Sequence, residues 1–520
     1  MNIFNFKPLI NKKFEFNTEV SPERIKSEKT PYVSHSCDEN LKILKEYFTT
    51  EKNTDIKIRE FHTGGGKAFI FFVENLVDSK ILNNDVLAPL MLLKNNNLTF
   101  DKIYNTLLIH NQVDISSDFE KILESINMGD CALFIDGIAK CIVIDVKSWS
   151  RRGIEPPVSE SVIYGPHEGF NENYKTNIAL IRKNIRNENM ICETVYVGNI
   201  SKTPLSILYM KNILNPDLLK ELHYRLENLD CDNIYQIGEL EQLIEDSTYS
   251  LFPQMLTTER PDKASDSIIE GKIVLLLQGS PFALVLPVTA TEFMTTVEDK
   301  YVRFPFAIFM KAIRIIGILS SFLLSGLYIA IVNFHQEMIP PGLLLSLESA
   351  REAVPFSALF ELLLMEISFD IIREASIRVP SPIGSTLGII GGLIVGQAAV
   401  SANLVSPIAI IIVSLTGIGS FATPNYALNF SFRFLRYFYI FMGALGGFFG
   451  ISTLMFVNCI ILCNIKSLGV PLFSGLSSET DDKTGGFLFP KPLYKKETRH
   501  GYLNTRLKRT QGKYARRWDK

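Results

Sequence analysis

From Val379 to Phe432 the chain contains no Asp, Glu, Lys or Arg. A second uncharged run, Ile315–Gln336, precedes it, and a third, Tyr437–Ile465, follows it. About 20 mostly apolar residues suffice to carry a helix across a bilayer. The first run fits one crossing. The longest fits two, Ile383–Ala402 and Leu404–Ala422, joined at Asn403 or around Ser406-Pro407. The last is long for one helix and contains Gly443, Gly446, Gly447 and Gly450. It reads either as one tilted helix or as a tight helical hairpin. The buried core helix of a soluble protein can resemble one such run, but three in close succession point to a polytopic α-helical membrane domain over residues 301–472.

The rest of the chain is different in kind. Of 520 residues 47% are apolar and 21% charged, and the charges crowd into the first half and the tail. A formal net charge of −2 excludes a globally basic nucleic-acid binder and a disordered polyanion. The N-terminus, MNIFNFKPLINKKFEF, has no apolar core of signal-peptide length. The first half is therefore expected in the cytosol. Basic residues set orientation. Arg303, Lys311 and Arg314 precede the first apolar run, and the tail from Lys483 onward is rich in Lys and Arg against only Glu497 and Asp519. Both ends should thus be cytoplasmic, which requires an even number of crossings. The seven cysteines (37, 131, 141, 192, 231, 459, 463) form no CxxC pair. They read as reduced structural thiols, neither a disulfide framework nor a zinc site.

The soluble half carries an internal echo. Ile70–Leu82 (IFFVENLVDSKIL) and Ile207–Leu219 (ILYMKNILNPDLL) share an apolar strand, an Asn, an Asp/Asn turn and a helix start. Ala132–Val146 and Val274–Val288 each pair two apolar strands across a turn, at Asp136-Gly137 and Gln278-Gly279. The order and spacing suggest two tandem α/β repeats; chance similarity of short apolar strands is the rival reading. The expected organisation is an N-terminal arm (1–36), a first cytosolic α/β subdomain (37–150), a linker with a second α/β subdomain (151–300), the membrane domain (301–472) and a basic cytosolic tail (473–520). Tyr174–Ile185 has helical spacing between the two copies.

Catalytic signals are weak. His62-Thr-Gly-Gly-Gly-Lys67 invites a phosphate-loop reading, but Ala68 stands where Ser or Thr is needed and a strand follows. A turn into a strand explains it better. No HExxH or GxSxG is present, and no cofactor or metal site is read. The turn-rich linker around Glu155 and Gly165-Pro166-His167-Glu168, with Arg182 and Arg186 on the following helix, reads either as an inter-subunit clamp or as an ordered linker beside a solvated basic helix.

Phe356–Ile377 (FSALFELLLMEISFDIIREASI) is the most informative segment. At 100° per residue Glu366, Asp370 and Glu374 share a face, and Glu361 lies on the opposite side. Glu352 would join the face if Pro355 did not break the helix. Carboxylates beside a bilayer are costly unless they meet water or partners. In a ring of subunits the face would line a pore and attract cations; alternatively the helix lies on the membrane surface or pairs Glu with Arg373. Gly388, Gly391, Gly392, Gly396 and Ala399 form small-residue faces suited to close helix packing. The tail Lys491–Lys520 suits an anionic lipid surface or free solvation.

Four stretches carry a family resemblance: GPHEGFNENYKTNIALIRKNIR (165–186), LFPQMLTTERPDKASDSIIEGKIVLLLQGSPFALVLP (251–287), 334–384 and GQAAVSANLVSPIAII (396–411). Between about residue 37 and Pro471 the chain resembles the A subunit of the GerA family of spore germination receptors. Two positions depart from the pattern: Gln278 stands where Asp is expected, and Tyr164 where a basic residue is expected. The resemblance implies a multi-pass protein of the spore inner membrane that is not an enzyme. It implies as partners a transporter-like B subunit that senses the germinant and a lipoprotein C subunit. It further implies a homo-oligomer, a pentamer, acting in signal transduction as a nutrient-gated ion channel that releases cations. On that reading Glu361, Glu366, Asp370 and Glu374 are candidate pore-facing groups. Pro380, Pro382 and Gly384 are candidate hinges, and Glu168, Arg182 and Arg186 candidate inter-subunit contacts. The alternative is a non-conducting scaffold that relays germinant binding to a separate channel.

Overall fold

The computed structural model describes residues 32–64, 66–92, 100, 103–104, 113–147, 156–157, 159–378, 392, 394–476 and 492–511. Its N-terminal half is built on two five-stranded antiparallel sheets. In the first lobe α1 (Cys37–Phe48) precedes β1 (Ile56–Thr63), β2 (Gly66–Val73), β3 (Val113–Ser116), α2 (Phe119–Met128), β4 (Cys131–Ile135) and β5 (Cys141–Ile144). The sheet order is β1-β2-β4-β5-β3. In the second lobe α3 (Tyr174–Asn184) precedes β6 (Met190–Val197), β7 (Thr203–Met210), α4 (Pro216–Glu227), α5 (Ile237–Ile244), β8 (Leu256–Thr258), α6 (Pro261–Glu270), β9 (Ile273–Leu277) and β10 (Ala283–Leu286). Its sheet order, β6-β7-β9-β10-β8, is the same path with shifted labels.

Period-2 side-chain alternation explains why β2 and β9 read as unbroken apolar runs. Phe69, Phe71 and Val73 of β2 pack with Phe48, Phe119 and Phe134 on one face, while Ala68 and Ile70 join Leu82, Val86 and Leu133 on the other. Both faces are covered, so both phases must be apolar. β9 divides likewise, Val274 and Leu276 against Ile273, Leu275 and Leu277. His62 and Thr63 end β1 and Gly66 and Lys67 open β2, with Thr63 pairing with Gly66. Lys67 there forms ion pairs with Asp38 and Glu60.

The helical half comprises α7 (Phe304–Phe334), α8 (Pro341–Glu352), α9 (Ala358–Arg378), α10 (Pro407–Phe421) and α11 (Tyr426–Asn464). Among the described residues α7 and α11 are long and apolar enough to cross a membrane, and α10 is a shorter apolar helix. The break between α8 and α9 falls at Pro355, as the sequence requires. Asn403 takes a left-handed backbone (φ 52°) and the Ser406 side chain caps α10, so both expected joints between the second and third apolar helices are used.

Two of the readings left open by the last apolar run resolve at Gly447. Its φ of 56° and ψ of −138° interrupt the helix. Gly450 is carried against the Met442 carbonyl, and Asn458 Nδ2 donates to Tyr439 Oη at 3.1 Å. In a continuous helix residues 19 apart would lie about 28 Å from each other. α11 is therefore two antiparallel arms, 426–446 and 448–464. The first arm packs on α7 with a very close backbone approach: a Cβ on Gly326 would meet the Tyr439 carbonyl oxygen at 2.6 Å, and one on Gly443 would meet the Gly326 carbonyl oxygen at 2.5 Å. After the second arm the chain returns to the second lobe as β11 (Lys466–Ser467) and β12 (Val470–Pro471), where Val288 N donates to Ser467 Oγ at 3.0 Å. The second lobe's core runs on into the helices: Phe252 packs on Phe432, which stacks on Phe322.

Candidate functional site: a polar cluster among apolar helices

α9 carries its charges into the helix bundle. One turn of spacing aligns Glu366 and Asp370, and both meet arginines from the first arm of α11. Glu366 is fully buried and ion-paired with Arg436 Nη1, itself fully buried. The other carboxylate oxygen, Oε1, accepts from Ser325 of α7 at 2.7 Å and Thr416 of α10 at 3.1 Å. Four helices thus converge on one carboxylate. Asp370 accepts from Arg433 Nη2 at 2.8 Å and from Tyr437 Oη at 2.7 Å. Arg373 donates to Ser420 Oγ at 3.0 Å and lies over the Phe421 ring. Nearer the α8 end of α9, Glu361 is fully buried; it accepts from Ser406 N and has Arg351 Nε 3.8 Å away. Arg436 Nε and Nη2 find no acceptor among the described residues.

The placement differs from a row of carboxylates open to a shared axis. Within the chain Glu361, Glu366 and Asp370 face neighbouring helices, and their charge is met by arginine or backbone N–H. Glu374 alone is exposed, in an i,i+4 pair with Arg378 at 2.8 Å. The reason is the arginine pair Arg433 and Arg436, which the helical phase of α9 says nothing about. These residues sit just before the third uncharged run, three apart on one face of α11. Their spacing was visible; their partner was not.

The linker residues separate likewise. Arg182 lies inside the chain, 1% exposed, with Nε and Nη2 on Asp55 at 2.7 and 2.9 Å and Nη2 on Asn53 at 3.0 Å. It bolts the second lobe to the first, so its contact is between lobes of the same chain. Asn53 Oδ1 also accepts from Cys192 N at 2.9 Å, and Thr54 N donates to Cys192 O at 2.9 Å, which fastens 53–55 onto the edge strand β6. Glu168 pairs with Lys183 at 2.6 Å. Arg186 is exposed and its Nε donates to the Lys183 carbonyl at 3.3 Å. The hinge candidates Pro380, Pro382 and Gly384, with Gly388 and Gly391, lie outside the described residues.

In the α/β half, burial raises the thiols of Cys131 and Cys192 far above their ordinary range. They are inert core groups, as the scattered cysteine pattern implied. Among the described residues no cluster of His, Cys, Asp and Glu could hold a metal ion.

The family model of the Bacillus/Clostridium GerA spore germination protein matches residues 42–502. The chain is 34% identical over 494 residues to spore germination protein KA of Bacillus subtilis, covering 94% of this chain and 90% of that one. It is 39% identical over 355 residues to spore germination protein A1 of the same organism, covering 68% and 74%. Among solved structures, the N-terminal domain of the A subunit of the Bacillus megaterium spore germinant receptor GerK3 aligns with 27% identity and a TM-score of 0.36, over 49% of this chain and 96% of that one. The chain belongs to the GerA family of spore germination proteins.

Proposed function

We propose that the chain is the A subunit of a germinant receptor in the spore inner membrane, where it oligomerises, as a pentamer, into a nutrient-gated ion channel. Germinant is sensed with a transporter-like B subunit, a lipoprotein C subunit completes the receptor, and opening releases cations. The observation that carries this reading is the Glu366–Arg436 pair with Ser325 and Thr416. A fully buried ion pair costs several kcal/mol in lost hydration per ion, and apolar side chains of the same volume do as well or better for stability. Charged groups inside an apolar bundle therefore point to a conducting or switching role.

The pairs act as the lock of the closed state. Opening moves α9 against the first arm of α11 and turns the shared face of Glu366, Asp370 and Glu374 toward the conduction path, with 380–384 as the hinge; Glu361, on the opposite side, reaches the path only if its hold on Ser406 N also breaks. Germinant favours that state only through contacts that differ between the two. The topology suits this: α7 leaves the second lobe and β11 returns to it, so the helical half makes an even number of crossings and keeps the α/β half and the tail on one side. The shared strand order of the two lobes supports a tandem duplication. The test is nutrient-triggered cation release from spores carrying Glu366→Gln with Asp370→Asn. Altered release is expected; release at the wild-type rate would refute the lock.

One observation favours a second reading. The carboxylates are neutralised within a single protomer, as in a scaffold that transmits a helix shift without conducting. On that reading the same substitutions change signalling, while the purified chain never passes ions.

A further inference from the structure

We propose that residues 496–506 of the basic tail are a latch that ties the 289–301 linker, and with it the start of α7, to the second lobe. The sequence suggested a solvated or lipid-bound tail. Instead Tyr502 inserts its ring toward the linker and its hydroxyl donates to Glu292 Oε1 at 2.9 Å. The same oxygen accepts from Thr289 Oγ1 at 3.1 Å, and Glu292 is ion-paired with Lys272. Leu503 is 1% and Thr505 4% exposed. Burial alone would raise the Glu292 carboxyl; the Lys272 ammonium and the Tyr502 hydroxyl hold it below its usual range.

The seat is formed by the end of α6. Gly271 caps that helix with φ +100°, and a Cβ there would meet Thr505 Cγ2 at 2.5 Å. Only glycine leaves room for the tail. Arg506 N donates to the Ile213 carbonyl at 2.9 Å, Arg499 Nε to the Ile269 carbonyl at 2.9 Å, and Lys496 pairs with Glu270 at 2.6 Å. The segment also closes on itself, Arg499 N donating to Lys508 O at 2.8 Å and Thr510 N to Glu497 O at 2.9 Å.

What the latch holds is the joint between lobe and helix bundle. On the linker, Lys300 pairs with Asp266 and Tyr301 Oη donates to Asp262 at 2.9 Å, both on α6. Arg314 of α7 reaches back to Asp299 at 2.8 Å and to the Met294 carbonyl at 3.0 Å. Tail, α6, linker and α7 therefore form one connected set of contacts. Releasing the tail removes the Tyr502 and Lys496 attachments and loosens the linker, which frees the first turns of α7 to shift against the lobe. The consequence for gating rests on the proposed function; the tie itself does not.

The test is hydrogen exchange on the purified full-length chain in detergent, comparing wild type, Tyr502→Phe, Tyr502→Ala, Lys496→Glu and the reversed pair Lys496→Glu with Glu270→Lys. Tyr502→Ala is expected to speed exchange of residues 290–301 about tenfold or more while β9 and β10 stay protected. Tyr502→Phe should fall between wild type and Tyr502→Ala. Lys496→Glu should loosen the same linker, and the reversed pair should restore it; this arm decides the matter if Tyr502→Ala does not fold. Unchanged exchange at 290–301 with a freed tail, or no rescue by the reversed pair, overturns the latch. Potassium flux from liposomes containing the same variants together with the proposed B and C partners and a nutrient mixture separates the two claims: exchange that responds while every variant stays tight under those conditions leaves the latch standing and removes the channel.

Discussion

Replacing Glu366 with Gln keeps the shape of the side chain and removes its charge. Arg436 is then left fully buried, with Nε and Nη2 already lacking acceptors among the described residues. Breaking one side of a buried pair costs about 3–5 kcal/mol, because the remaining charge is stranded. Arg436→Met strands the carboxylate instead and should cost a similar amount, eased by Ser325 and Thr416, which still donate to it. The double variant Glu366→Gln/Arg436→Met strands nothing and should lie within about 2 kcal/mol of wild type. The cycle therefore predicts a coupling energy of roughly 4 kcal/mol or more, above the usual range of about 0.5–3 kcal/mol for neighbouring residues. For a helical half of this size each kcal/mol moves the melting midpoint by about 2–4 °C. Each single substitution should thus lower the midpoint in detergent by roughly 6–20 °C, with the double variant recovering most of it. Single variants that melt within about 2 °C of wild type, or a double variant whose loss equals the sum of the singles, would refute the argument.

The bolt between the lobes can be tested in the same way. Arg182→Met strands buried Asp55 and should cost the α/β half about 3–5 kcal/mol, with most of the loss recovered by adding Asp55→Leu, read as denaturant midpoints on the full chain. At the α11 turn, Gly447→Ala forces a Cβ onto a left-handed backbone, where it would meet His335 Cε1 at 2.9 Å, whereas Gly446 has open space around it. Gly447→Ala should sharply reduce the yield of folded protein on size-exclusion chromatography and Gly446→Ala should not. Glu241 of α5 carries a pH effect: burial, helped by the neighbouring Glu245, raises its carboxyl to about 7. A raised carboxyl favours the folded state at low pH, and that contribution is lost as pH climbs from the unfolded value toward 7. Glu241→Gln should therefore be nearly neutral in melting at pH 5 and stabilising at pH 8; equal effects at both values would contradict this.

Much of the architecture was legible because it rests on local periodicity. The absence of charge located α7 and α10, alternation located β4–β5 and β9–β10, and helical spacing located α3 and α9 almost to the residue. Pro355 and Asn403 marked real breaks. Long-range pairing was not legible. Nothing near Glu366 announces an arginine 70 positions on, and nothing near Arg182 announces Asp55. The hairpin at Gly447 needed the close approach of Gly450 to Met442 to decide between two readings that composition allows equally. The basic tail misled most, because charge content alone suggests solvation; beside the Lys496–Glu270 pair it is held by uncharged groups, Tyr502 and Leu503, whose seat depends on a glycine in another element.

The most direct measurement is potassium flux from liposomes containing the purified chain, alone and with the proposed B and C partners, as wild type and as Glu366→Gln. Closed wild-type liposomes that open with partners and a nutrient mixture, and a Glu366→Gln variant that leaks without any nutrient, are the results expected of a channel locked by the buried pair. Liposomes that hold their potassium in every combination, the variant included, would contradict it.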